Sequence, residues 1–166
     1  MLTRDRLADH QWVPIRNTPH HVIIAVSSAG GSAFDEMLER NAGLQAIVDA
    51  MHSTHPLLRE IAVAQQIMQA QDHIRAWYYQ LQDAHRTSMR LQAQALASLE
   101  EALQILGTHG TRDDLLHYSD FVMSTAMRVA RSAKEGDLMG IGGELVSRTE
   151  KDFIEQVEIT IKRVRV

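Results

Sequence analysis

Apolar residues recur three and four apart along most of the chain, the spacing of a helix that buries one face. The longest such run lies between Leu57 and Leu106, where no Gly or Pro intervenes. Within it Ile67, Ile74, Trp77, Leu81 and Leu91 fall on one heptad-like seam with Ala70 and Ala95. An unbroken helix over this region would be about 75 Å long at 1.5 Å per residue, too long for a compact domain. The expectation is therefore a break near His85 to Ser88, where Thr87 and Ser88 offer caps for a second helix.

Punctuation marks the other elements. Ser53 or Thr54 caps the long segment, with Pro56 in its first turn, and Gly107 and Gly110 bracket its stop. Thr111 or Asp113 opens a further helix that Gly136 ends, and Ser147 with Glu150 forms a capping box before the stripe Phe153, Ile154, Val157 and Ile161. The final "VEITIKRVRV" also alternates like a strand.

The stretch "VIIAVSSAGGSAFDEML", Val22 to Leu38, reads as strand, loop and helix or as two helices hinged at Gly30 and Gly31. A phosphate-binding loop needs a Lys after its last Gly, a dinucleotide fingerprint needs G-x-G-x-x-G, and both are missing. No further buried strands accompany it, so the helical reading is preferred, with Thr18 and Pro19 starting a short helix and Ser32 capping the next. The predicted fold is all-α: a single-domain antiparallel bundle of five to seven helices over residues 18–166, behind an irregular N-terminal arm at 1–17.

Composition narrows function more than it identifies it. Among 166 residues, 45% are hydrophobic and 23% charged, ordinary for one globular domain. No apolar run is long enough to span a bilayer and the N-terminus lacks a secretory pattern, so no membrane partner and a cytoplasmic location are expected. The absence of cysteine removes disulfides, thiolate nucleophiles and Cys-based metal sites. A formal net charge of -4 argues against nucleic acid, which needs a basic face. The only basic cluster, Lys162, Arg163 and Arg165, suits a helix C-terminus.

Candidate chemistry is sparse. Two D-x-x-H spacings, Asp49 with His52 and Asp114 with His117, the second joined by Asp113, each place an oxygen and a nitrogen donor on one helix face, as a divalent metal would need. His55 is a further candidate for the first pair, but Pro56 suggests a turn between them. The Glu-x-x-His motif of di-iron bundles is missing, and so is the G-x-S-x-G nucleophile elbow of serine hydrolases. Gly140, Gly142 and Gly143 precede a helix N-terminus, where exposed N–H groups can hold an anion. Trp77, Tyr78 and Tyr79 form an aromatic cluster, with Trp77 in the seam and a tyrosine left to line a cleft.

The segment "VARSAKEGDLMGIGGELVSRTEKDFIEQV" from Val129 resembles the helix, Gly-containing turn and S-x-x-E helix start of the tellurite-resistance TerB-like proteins, and Val22 to Val48 is similar in outline. The resemblance implies an all-helical fold and metal binding by Asp-Gly turns with the acids that follow them. Here the position of the Asp before Gly is taken by Gly30 and Gly142, and Asp35 or Glu36 and Glu150 match the later acids.

The function expected from the sequence is a non-enzymatic helical protein that self-associates, as a dimer, through the Leu57 to Leu106 seam. The alternatives are a bundle binding a divalent metal ion through Asp49, His52, Asp113, Asp114 and His117, and a binder of a small ligand or anion.

Overall fold

The computed structural model describes residues 1–29, 33–80, 88–135 and 146–164. Among them are seven α-helices and no strand: α1 (Asp9–Ser27), α2 (Ala33–Asp49), α3 (Pro56–Ile61), α4 (Ala64–Gln80), α5 (Ser88–His109), α6 (Arg112–Glu135) and α7 (Arg148–Val164). Short 3-10 turns occur at Arg4–Arg6 and Ala50–His52. The chain is the all-α helical bundle that the spacing predicts, with its last segment helical through Val164 rather than a strand.

The centre of the bundle is α1, which packs against α2, α4, α5 and α6. It is buried on almost every side and carries Ile15, Val22 and Val26 into a core shared with Leu99, Leu103 and Leu106 of α5, Val122 and Val129 of α6, and Phe153 and Val157 of α7. The expected irregular arm at 1–17 and the expected helix start at Pro19 are both corrected, because α1 begins at Asp9 and contains Pro14 and Pro19. A proline inside a helix removes the N–H that its fourth preceding carbonyl would accept. For Pro19 that carbonyl is Ile15 O, and the buried Tyr118 hydroxyl of α6 donates to it at 2.8 Å. Tertiary structure thus repairs the local defect that makes proline read as a boundary.

The Leu57 to Leu106 region divides into α3, α4 and α5. Its first break falls at Ala62 and Val63, where neither Gly nor Pro marks it. The expected break at His85 to Ser88 falls largely outside the described residues, and so does Leu81; α5 begins at Ser88. Gly107 is interior to α5 and does not stop it, while Gly110 follows the helix end, its N–H donating to Leu106 O at 2.9 Å. The Gly30–Gly31 hinge, the Ser32 cap, the Gly136 stop and the glycines at 140, 142 and 143 lie outside the described residues.

At Gly43, α2 approaches α1 and α6 closely. A Cβ there would stand 2.5 Å from Ile23 Cγ1 and 2.8 Å from Val129 Cγ2. Gly43→Ala is therefore expected to destabilise by about 1–3 kcal/mol despite its better helix propensity, whereas Gly107→Ala, which meets nothing within 4 Å, is expected to stabilise by about 0.5–1 kcal/mol. Tyr118→Phe leaves Ile15 O buried without its donor and should cost about 1–3 kcal/mol. Urea denaturation of the three variants at pH 7 checks these signs.

Candidate functional site

Why α1 tolerates so many polar residues in the core is answered largely by the helices around it. Arg16 Nη1 donates to Gln69 Oε1 at 2.8 Å, and Trp12 Nε1 donates to Gln66 Oε1 at 2.8 Å, so α4 is tied to α1 by two side-chain bonds. Thr18 Oγ1 donates to Pro14 O at 2.7 Å and lies 2.8 Å from Ser98 Oγ, which is 3.1 Å from His21 Nδ1. With the Thr18 proton committed to Pro14, Ser98 donates to Thr18 and accepts from His21 Nδ1–H. His21 also meets Trp77 edge-on, with ring centroids 5.7 Å apart.

His20 is different. Only 4% of it is exposed and its Nε2 has no hydrogen-bond partner. Burial, with the charges of His21 and Arg16 adding to it, pushes its pKa down to about 3, so the ring is neutral at physiological pH. It lines a cavity of about 300 Å³ between α1, α2 and α4. Ile23, Ile24, Leu44 and Ile74 supply the apolar wall, and Arg40 and Arg75 reach it from α2 and α4. Tyr78 and Tyr79 both line it, where the sequence led us to expect one tyrosine in a cleft. The sequence hides this site because its parts come from three helices, and because His20 sits in a stretch read as a helix start.

The seam residues turn inward. Ile74 and Leu91 are buried, Ile67 packs against the core, and half-buried Trp77 lies on His21. These four residues, expected as a self-association seam, pack toward α1 and the core within the chain. The sequence concealed this because the polar residues of α1 disguise a central helix.

The five proposed metal ligands are divided by the fold. Asp49 accepts from Arg128 Nη1 at 2.6 Å and from Gln45 Nε2 at 2.8 Å, and the bond from Arg128 leads in holding its pKa below the ordinary value. His52 is exposed at the end of its 3-10 turn. Arg128 lies about 22 Å beyond Asp113 along α6 by helical rise, so the two halves of the set do not converge. Asp113, Asp114 and His117 instead gather around His55, whose Nε2 is 3.3 Å from Asp114 Oδ1 and 3.4 Å from Asp113 Oδ2. The His117 ring stacks on His55 at 4.6 Å.

Asp114 is fully buried because it is structural. Burial opposes its charge, but donation from the Thr111 and Leu2 N–H groups and the Thr111 hydroxyl outweighs this and lowers its pKa. It closes a box with Thr111 at the start of α6 and fixes the N-terminal segment there. His55, a candidate for the Asp49 and His52 pair in the sequence, joins the second group instead, and its pKa is lowered by burial and by His117 against the opposing pull of Asp114 and Asp113. Among the described residues no group of three or more His, Asp or Glu side chains is disposed to hold a metal ion.

The acids that the TerB-like resemblance singles out reveal a different pairing. Glu150 closes the predicted capping box, accepting from Ser147 N at 2.6 Å, while Ser147 Oγ accepts from Glu150 N at 3.2 Å. Beside it is buried Glu39, whose pKa is raised to about 8 by burial and by the charges of Glu150, Asp35 and Glu36.

Unfolded Glu39 titrates near 4.5 and the folded protein keeps its proton to about 8, so the folded state binds more protons between those values. The stability this confers is fully present below pH 4.5 and lost as pH rises through 8. Glu39→Gln should therefore match the wild type near pH 4.5 and exceed it at pH 9, by at least about 4 °C in Tm. Thermal unfolding at the two pH values checks this.

No protein-family model, curated protein or solved structure matches the chain, so the functional reading rests on the geometry of its own side chains.

Proposed function

We propose that this protein binds a small organic ligand in the cavity between α1, α2 and α4, and acts by binding rather than by catalysis. The observation that carries the reading is His20, a buried ring whose Nε2 lacks a partner at the wall of that cavity. An unsatisfied buried polar group costs about 1–3 kcal/mol, a cost that a ligand hydrogen bond removes. The cavity is at the small end of the range for organic ligands, and its mixture of aliphatic wall and few polar groups is the usual make-up of such sites.

A neutral imidazole with a pKa of about 3 is a poor general base and carries no proton to give as an acid near pH 7. It suits a fixed hydrogen-bonding role. The test is ligand-observed NMR with a broad fragment library on the wild type and on Leu44→Trp, which fills the cavity from its α2 wall. The expected result is a set of hits lost in Leu44→Trp, with far-UV circular dichroism unchanged. A library without hits, or hits indifferent to Leu44→Trp, overturns the reading.

A further inference from the structure

The charges around the cavity select the kind of ligand. In a chain of formal net charge -4, the cavity lining holds two guanidinium groups, Arg40 and Arg75, and no carboxylate. Their acidic neighbours lie outside the lining. Arg40 Nη2 pairs with Glu36, and its Nε is 3.4 Å from Ser27 Oγ. Arg75 Nη1 is 3.6 Å from Asp72 Oδ1, in a pair whose two side chains are largely exposed. A pair of that kind is weak and screened by salt. Each guanidinium has five N–H donors in a planar fork, so one carboxylate neighbour leaves donors for a second acceptor.

The rest of the wall adds an apolar requirement. A bare inorganic ion would leave Ile23, Ile24, Leu44 and Ile74 facing water. A molecule with a hydrocarbon or aryl body and one anionic head would cover that wall and bring its head to the arginines, with His20 available to a polar atom on the body. Resting on the cavity reading above, we infer that the ligand is a small amphipathic organic anion, a carboxylate in the first instance, held by Arg40 and Arg75 over the aliphatic wall.

Calorimetric titration with three matched probes, 3-phenylpropionate, 3-phenylpropionamide and 3-phenylpropylamine, together with inorganic phosphate, tests the inference. The proteins are the wild type, Arg40→Gln, Arg75→Gln, the double variant and Leu44→Trp, each checked for an intact thermal transition. The acid should bind the wild type at least tenfold more tightly than the amide, with the amine weakest and phosphate a poor competitor. The double variant should lose that preference while its amide affinity is unchanged, and Leu44→Trp should lose both. Either single variant should fall between wild type and double.

Equal binding of acid and amide, or an acid affinity unchanged in the double variant, overturns the anionic class and leaves the cavity reading standing. Phosphate competing as strongly as the acid overturns the amphipathic requirement. Failure of all three organic probes overturns the inference, and the broad fragment screen then decides the cavity reading separately.

Discussion

The bundle depends on one constraint: its central helix carries polar groups into the core, and each must find a partner there. A buried polar group without a partner costs more than most single packing contacts supply. The consequence is visible on every side of α1. Gln66 and Gln69 of α4, Ser98 of α5 and Tyr118 of α6 are all committed to it, so the surrounding helices are held by directed bonds as well as by hydrophobic burial. Non-directional burial alone would permit α4 to slide along α1, whereas two amide acceptors aimed at Trp12 and Arg16 fix its register.

Against that pattern His20 Nε2 and Asn17 Nδ2 of α1 are left open, and His20 borders a cavity. It lines a cavity rather than packing against another side chain, and the cavity is bordered by arginines on two different helices. The polar cluster at His55 shows the contrast. There Asp114 is satisfied by the backbone of Leu2 and by Thr111, so its burial is explained by folding alone. His55 Nδ1 and Nε2, like His20 Nε2, lack hydrogen-bond partners, so what sets His20 apart is the cavity it lines.

The acidic pair Glu39 and Glu150 occupies a third position between these cases. Glu150 does ordinary capping work at the start of α7, yet its charge, with burial, keeps Glu39 protonated to about pH 8. Placing a carboxyl group there ties the stability of the α2 region to pH without requiring any ligand. Close packing at Gly43 against Ile23 of α1 and Val129 of α6 leaves little room to relieve that arrangement by moving α2.

The sequence by itself determined the helical class, the capping box of α7, the start of α6 near Thr111 and the apolar face of α5, because these rest on local spacing and on caps within a few residues. It also marked one of Tyr78 and Tyr79 as a surface or cleft residue, Trp77 as a packed one, and the Asp113, Asp114 and His117 group as a cluster. Only the tertiary structure decided that α1 starts at Asp9 and runs through two prolines, since the donor that repairs Pro19 comes from α6. It alone packed the seam residues onto α1 and the core, placed Asp49 beside Arg128 more than half of α6 away from Asp114, and brought His20, Arg40 and Arg75 to one cavity. Those facts depend on which helix lies beside which, a relation that periodicity along one chain segment does not contain.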